Sequence, residues 1–167
     1  MSALEKPATI SGGGDPPLKD IVAESPFFSG LNEAHQKTLV QCAMFQRFAE
    51  GEKIFCEGDP ANRFYLILDG EIALEADHGE GEPLLIQKVG AGDVLGWSWL
   101  FPPYYWHFGA RATKPTTAIF FYGTRLRQIC EEEPAFGYEL MRRIAEVVVQ
   151  RLQATRKELI ELSQRRS

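Results

Sequence analysis

The aromatic residues of this sequence are concentrated in one short segment, whose rings are its clearest sign of binding chemistry. Residues 97–108 hold all three tryptophans of the chain and four further aromatic residues, in the order Trp97, Trp99, Phe101, Tyr104, Tyr105, Trp106 and Phe108. Rings at this density either fill a cavity themselves, line a pocket for a flat or apolar molecule, or form an exposed patch for a protein partner. In a lined pocket, Ser98, His107 and the indole N–H groups orient the ligand. The sequence leaves these alternatives open.

The histidines and cysteines form neither a metal-ligand pattern nor a catalytic pair. A metalloenzyme of the cupin type requires a His-x-His pair, which the sequence lacks, and it also lacks a Gly-x-Ser-x-Gly nucleophile motif. The cysteines have no Cys-x-x-Cys spacing and cannot all pair, so we expect reduced thiols. The residues concerned are His35, His78, His107, Cys42, Cys56 and Cys130. We therefore predict no metal, no cofactor and no enzymatic activity.

The overall composition is typical of one globular domain. The chain has 167 residues, of which 44% are hydrophobic and 25% are charged, and its formal net charge is −5. An acidic chain is a poor nucleic-acid binder, because phosphate contacts require clustered cations. No apolar stretch approaches the roughly 20 residues of a membrane-spanning helix, and the N-terminus lacks the apolar centre of a secretory signal. We predict a cytoplasmic protein that binds neither DNA nor a membrane.

The aromatic segment lies inside a run of short predicted strands. Residues 46–123 alternate strand patterns with turn signals, which is typical of an antiparallel sandwich, jelly roll or barrel. Within this run, Asp69-Gly70 predicts a tight hairpin turn. Residues 20–45 and 124–163 have helical periodicity, whereas residues 1–19 are rich in Gly and Pro and predict a disordered tail. The sequence therefore predicts a mainly β fold with flanking helices.

The last predicted helix has a heptad seam. Its members step by four and three residues, at Met141, Ala145, Val148, Leu152, Thr155, Leu159 and Leu162. We expect the first part, from Met141 to Val148, to pack on the strands, because an intramolecular partner is available there. Beyond Leu152 we expect a second copy of the chain to cover the seam. The predicted homodimer interface comprises Val148, Leu152, Thr155, Leu159 and Leu162.

Three stretches resemble the cyclic nucleotide-binding domain family, which includes catabolite activator/Fnr-like proteins and protein kinase A regulatory subunits. Residues 48–70 resemble the first hairpins of these domains, residues 90–96 the approach to their phosphate-binding cassette, and residues 140–155 the long helix that dimerises bacterial transcription factors of the family. The resemblance implies an antiparallel β jelly roll (a double-stranded β-helix) with N-terminal helices and a long C-terminal helix, together spanning residues 20–163. Because the chain ends soon after the seam, we expect no DNA-binding domain.

The segment aligned with the cassette departs from the family pattern at its two ligand-binding positions. In nucleotide-binding members a Glu bonds the ribose 2′-hydroxyl and an Arg pairs with the cyclic phosphate, whereas Trp97 and Trp106 occupy these positions here. Loss of both contacts removes about 3–6 kcal/mol, or roughly 10² to 10⁴ in affinity. Arg111 is a candidate replacement cation, although the family pattern places it on the following strand. The candidate ligand-binding residues are Gly96, Trp97, Ser98, Trp99, Trp106, His107 and Arg111.

The resemblance and the departures together predict a non-enzymatic regulatory or ligand-sensing module. The altered cassette argues against conventional binding of cAMP or cGMP. The alternatives are a sensor of another flat or apolar ligand and a ligand-free dimerising scaffold, with a cupin-like enzyme as the rival from another class. The predicted partners are a second copy of the chain, a small molecule and a further protein.

Overall fold

The computed structural model describes residues 16–166, and two helices open this part of the chain. Helix α1 spans Leu18–Glu24 and helix α2 spans Glu33–Cys42. Helix α2 begins after Asn32, whose side chain accepts a hydrogen bond from the backbone N–H of His35 at 2.8 Å and so caps the first turn. The predicted tail comprised residues 1–19, of which residues 1–15 lie outside the described residues. Helix α1 begins at Leu18, within the last two positions of that tail.

Eight strands follow and form two four-stranded antiparallel sheets, which confirms the predicted jelly roll. The strands are β1 (Ala43–Phe48), β2 (Lys53–Phe55), β3 (Arg63–Asp69), β4 (Glu71–Ala76), β5 (Leu84–Gly90), β6 (Val94–Leu95), β7 (Gly109–Ala112) and β8 (Thr116–Tyr122). One sheet has the order β1-β8-β3-β6 and the other has the order β2-β7-β4-β5. The aromatic segment connects β6 of the first sheet to β7 of the second, so it closes one end of the barrel between them.

The turn at Asp69-Gly70 is not the hairpin that the sequence predicts. Strand β3 pairs with β8 and β6, whereas β4 pairs with β5 and β7, so the turn carries the chain from one sheet to the other. Gly70 has a φ of +109°, and an added Cβ would lie 2.6 Å from the carbonyl oxygen of Pro115. A glycine is therefore required here by both the left-handed backbone and the close approach of a neighbouring strand.

The strands separate two hydrophobic cores. On β3, Tyr65 and Ile67 face the interior between the sheets, while Phe64 and Leu66 face the helices, as the two-residue period of a strand requires. The interior core also holds Phe48, Phe55, Ile72, Leu74, Val89, Leu95, Trp106, Ala118 and Phe120. The helix-facing core holds Val22, Phe28, Leu39, Trp99, Ile119, Phe121, Leu126, Phe136, Leu140 and Ile144.

Two helices close the chain, α3 at Gly123–Glu132 and α4 at Pro134–Arg165. The prediction that Met141 to Val148 pack on the strands is wrong for Met141 and Ala145, which are exposed. The stripe that starts one position earlier packs instead, with Leu140 and Ile144 both buried. None of the helices found in residues 16–166 combines the length and apolar character needed to cross a membrane.

Candidate functional site

The aromatic segment is fixed to the turn that follows β2. The backbone N–H of Trp106 donates to the carbonyl of Asp59 at 2.9 Å, and the N–H of Gly58 donates to the carbonyl of Trp106 at 2.9 Å. The N–H of Ala61 donates to the carbonyl of Tyr104 at 2.7 Å. Together these bonds hold the second half of the segment, around Tyr104 and Trp106, against this turn.

Trp106, which we expected at the position of the phosphate-binding Arg, fills the interior of the barrel. Its side chain is only 4% exposed and stacks on Phe55, with ring centroids 3.8 Å apart and an interplanar angle of 12°. The edge of the indole lies directly under Gly96, where an added Cβ would be 3.0 Å from Cη2 of Trp106. Gly96 has a φ of +90°, so it permits both the turn and this close approach. The indole therefore occupies the space beneath the cassette.

Trp99 lies apart from the other candidate ligand contacts. It is fully buried in the helix-facing core, with its ring 5.7 Å from that of Phe64. An added Cβ on Gly123 would lie 2.6 Å from the Cβ of Trp99, so this glycine at the start of α3 makes room for the tryptophan. Among residues 16–166, its Nε1 has no hydrogen-bond partner. This position gives Trp99 a packing role between the cassette and α3.

Trp97, which we expected at the position of the ribose-binding Glu, lines a groove between the barrel and α4. The groove has a volume of about 280 Å³. Its cassette side is formed by Trp97, His107 and Phe108, with the Trp97 and Phe108 rings 5.4 Å apart. Leu74, Ile86 and Gln87 contribute from β4 and β5, and Val148, Arg151, Leu152 and Thr155 contribute from α4. The groove therefore has aromatic rings on its cassette side and side chains of α4 on the opposite side.

Ser98 and His107 form a polar pair beside this groove. The Oγ of Ser98 lies 3.1 Å from Nδ1 of His107, within hydrogen-bond distance. Ser98 is fully buried, whereas His107 is exposed and lines the groove. The hydroxyl thus orients the imidazole, whose Nε2 remains for another contact. Of the seven candidate ligand-binding residues, Trp97, Ser98 and His107 are brought together here.

Arg151 is a site residue that the sequence analysis missed. It lies on α4, with its guanidinium carbon 5.4 Å from the ring centroid of Trp97, within the range of a cation–π contact. One guanidinium nitrogen donates to the carbonyl of Val94, at 2.5 Å. Its Nη1 is buried and has no hydrogen-bond partner among the described residues. Burial lowers the pKa of Arg151, while the charge of Asp93 acts in the opposite direction.

A signal for Arg151 exists in the sequence, although it is indirect. Ile144, Val148, Arg151 and Thr155 step by four, three and four residues, so they share one face of α4. Ile144 is buried, and the other three line the groove. Arg151 differs from the solvated charges around it because it lies on the side of α4 that faces the barrel. That side is known only once α4 is packed on the barrel.

Arg111, the candidate replacement cation, is held by a carboxylate. It lies on β7 and forms an ion pair with Glu75 on the adjacent strand β4, with Nε 3.4 Å from Oε1 and a second contact through the terminal nitrogen. Glu75 is only 8% exposed, so its charge is matched by this arginine. Hydrogen bonding to Glu75 and its negative charge raise the pKa of Arg111. Arg111 does not line the groove.

The remaining chemistry-bearing residues are dispersed. Cys42, Cys56 and Cys130 are free thiols. Within residues 16–166, no group of three or more His, Cys, Asp or Glu side chains could hold a metal ion. Burial raises the pKa of the Cys130 thiol to about 11, with the charge of Glu131 adding to the effect. At neutral pH this thiol is therefore protonated and a poor nucleophile.

Comparison with known proteins agrees with this architecture. Among curated proteins, the chain is 25% identical over 150 residues to a CRP-like cAMP-activated global transcriptional regulator of Mycobacterium tuberculosis, covering 87% of this chain and 63% of that protein. The chain thus spans less than two thirds of the length of this relative. Two crystal structures show the same fold. A protein of Geobacter metallireducens GS-15, described as cyclic nucleotide-binding, has 29% identity and a TM-score of 0.73, covering 82% of this chain and 98% of that one.

The second structure is the catabolite activator protein of Thermus thermophilus, with 22% identity and a TM-score of 0.66 over 83% of this chain and 63% of that one. This likeness shows the fold alone. The family model for the cyclic nucleotide-binding domain matches residues 45–133, more than half of the chain and all the strands from β2 to β8. The chain therefore belongs to the cyclic nucleotide-binding domain family.

Proposed function

We propose that this domain is a non-enzymatic, cytoplasmic regulatory module that does not bind cAMP or cGMP through the usual contacts of its family. The observation that carries the proposal is the position of Trp106, which is stacked on Phe55 at 3.8 Å beneath Gly96, where the family's phosphate-binding Arg would stand. Trp97 replaces the ribose-binding Glu, and Arg111 is paired with Glu75. Loss of two charge-assisted contacts weakens nucleotide binding by about 3–6 kcal/mol.

The groove beside Trp97 is the proposed ligand site of this module. A volume of about 280 Å³ is close to the lower end of small-molecule pockets. The rings of Trp97 and Phe108 offer apolar faces to a flat molecule, and His107, held by Ser98, offers one polar contact at the rim. These features favour a planar, largely apolar ligand over a sugar phosphate.

The exposed apolar face of α4 favours a second proposed activity, dimerisation. Leu152 is 63% exposed, Leu159 67% and Leu162 49%, and all three belong to the predicted seam. Large apolar side chains at heptad spacing along an exposed helix are typical of a coiled-coil interface. We therefore propose a homodimer through Val148, Leu152, Thr155, Leu159 and Leu162. If the domain is a scaffold that binds no ligand, dimerisation is its one proposed activity.

Titration calorimetry and thermal unfolding with cAMP and cGMP test the proposed loss of nucleotide binding. A micromolar site exposed to ligand at about 100 µM would be stabilised by roughly 2.7 kcal/mol, which is easily detected as a rise in Tm. We expect neither heat of binding nor a rise in Tm with either nucleotide. Saturable binding of either nucleotide in the micromolar range would contradict the proposal, because it would require a phosphate contact that Trp106 cannot supply.

A further inference from the structure

We infer that the ligand of the groove is a flat aromatic anion and that Arg151 of α4, rather than a residue of the cassette, binds its negative charge. The inference rests on the proposed function, because it assumes that the groove between Trp97 and α4 binds a ligand. It adds the charge of that ligand and the residue that recognises it.

The first argument is the incomplete bonding of Arg151. Its guanidinium has a donor, Nη1, that is buried and has no partner among the described residues, although another of its nitrogens bonds to the carbonyl of Val94. A buried donor without an acceptor is costly, and more so when the group is charged. Because Arg151 also lines the groove, a carboxylate, sulfonate or phosphate oxygen bound there would give this incompletely bonded guanidinium an acceptor. Arginine suits this role because its planar fork matches these oxyanions.

The second argument is the charge of the surroundings. Arg151 is the one charged residue lining the groove within residues 16–166, and no carboxylate is among the other lining residues. The acidic residue that acts on its charge is Asp93, which lines a separate crevice together with Arg151. The carboxylate of Asp93 accepts a hydrogen bond from the N–H of Gly90 at 2.8 Å, so it is engaged in the turn before β6. The groove therefore has a cation but no matching anion.

The third argument is the relation between the cation and the rings. The guanidinium lies 5.4 Å from the centroid of Trp97, and the Trp97 ring lies 5.4 Å from that of Phe108. A molecule whose ring contacts Trp97 and Phe108 thus places an acidic substituent within reach of Arg151. A neutral ring would bind to the same faces but would leave the charge of Arg151 without an anionic partner in the groove. The geometry accordingly favours an aromatic acid over an uncharged aromatic molecule.

Two fluorescent probes that differ in charge test this inference. 8-Anilinonaphthalene-1-sulfonate is an aromatic anion, and N-phenyl-1-naphthylamine has the same rings without the sulfonate. We expect Arg151→Gln to weaken binding of the sulfonate by roughly tenfold, the loss expected for one charge-assisted hydrogen bond. Binding of the neutral amine is expected to change by less than about twofold. Arg156→Gln removes the same charge from an exposed position of α4 and should alter neither affinity.

Further variants locate the probe and protect the test against misfolding. Trp97→Ala should weaken both probes if they bind in the groove, whereas a probe on the exposed seam of α4 would be unaffected. Arg151→Lys retains the charge but loses the planar fork, so we expect it to weaken sulfonate binding measurably, though less than Arg151→Gln, and to leave binding of the neutral amine unchanged. Because it preserves the charge, this variant tests the inference even if Arg151→Gln is unstable. Displacement of the sulfonate probe by 2-naphthoate or by 2-naphthyl phosphate then separates a carboxylate ligand from a phosphate ligand.

The outcomes distinguish the two proposals. If both probes bind and respond to Trp97→Ala, but Arg151→Gln affects neither, the inference about charge is wrong and the proposed ligand site remains. If neither probe responds to Trp97→Ala, the proposed ligand site itself is wrong. A loss of sulfonate binding in Arg156→Gln equal to that in Arg151→Gln would also contradict the inference, because it would indicate a general effect of net charge.

Discussion

At the scale of single residues, the decisive feature is Trp106, an aromatic ring that packs in the core beneath Gly96. Trp106 is 4% exposed and stacks on Phe55 at 3.8 Å, so its removal leaves a cavity between the two sheets. We expect Trp106→Ala to lower the free energy of unfolding by about 3–5 kcal/mol, the range for large-to-small substitutions of buried aromatic residues. Urea denaturation followed by circular dichroism measures this loss.

The neighbouring Tyr105 provides the control for that experiment. It belongs to the same segment but is 48% exposed, so Tyr105→Ala should change the free energy of unfolding by no more than about 0.5 kcal/mol. If Trp106→Ala is as mild as Tyr105→Ala, the indole does not fill the barrel. The proposed loss of nucleotide binding would then lack its structural basis.

The sequence was sufficient to single out Trp97 and Trp106 as candidates but not to determine where their rings point. Gly96 and Arg111 bracket the segment, and its predicted alignment with the family pattern depends on them. The segment itself is irregular, with a short 3₁₀ turn at Ser98–Leu100, so no two-residue or helical period assigns its side chains to a face. Trp97, Trp99 and Trp106 consequently lie in three different environments, which only the folded chain reveals.

At the scale of elements, the contact between α3 and α4 depends on a glycine within a helix. An added Cβ on Gly137 would lie 2.9 Å from the carbonyl oxygen of Cys130 and 3.0 Å from its Cβ. In an exposed helix, replacing Gly by Ala stabilises by roughly 1 kcal/mol. Here we expect Gly137→Ala to lower the Tm instead, because α4 must move away from α3. Differential scanning calorimetry measures the change.

Tyr138→Ala is the control for this variant. The Tyr138 side chain is 67% exposed, so its removal should have little effect on Tm. An increase in Tm for Gly137→Ala would show that helix propensity outweighs the close contact. That result would contradict the tight packing of α3 on α4.

The elements themselves were largely predictable, while their orientation was not. Heptad spacing correctly indicated a long helix over residues 141–162, but two apolar stripes run along α4 one position apart. Leu140 and Ile144 pack on the core, whereas Met141 and Ala145 are exposed. Periodicity specifies a helix and an apolar side, and the shape of the surface on which the helix docks determines which stripe is buried. The turn at Asp69-Gly70 was misjudged for a related reason, since strand pairing is not encoded locally.

At the scale of the whole molecule, the proposed ligand site and the proposed dimer interface share the same helix. Leu152 and Thr155 line the groove beside Trp97, and both also belong to the proposed dimer seam. A second copy of α4 paired along this seam would therefore lie next to the ligand site. Arg151 lies next to Leu152 on α4, so an anionic ligand bound to Arg151 would act on the position of this helix. Such an arrangement allows occupancy of the groove to influence pairing of two chains without a catalytic step.

The proposed dimer is tested by placing charges in its seam. Leu152 and Leu159 are 63% and 67% exposed in the single chain, so replacing both by Glu should leave the fold intact. In a paired helix the four introduced carboxylates would be buried close together, which opposes association. We expect the unsubstituted protein to sediment as a dimer and Leu152→Glu/Leu159→Glu as a monomer with an unchanged circular dichroism spectrum.

Gln153→Glu/Gln164→Glu adds the same charge at exposed positions outside the seam and should remain dimeric. A monomeric unsubstituted protein, or a substituted protein that still dimerises, would show that α4 is not the interface.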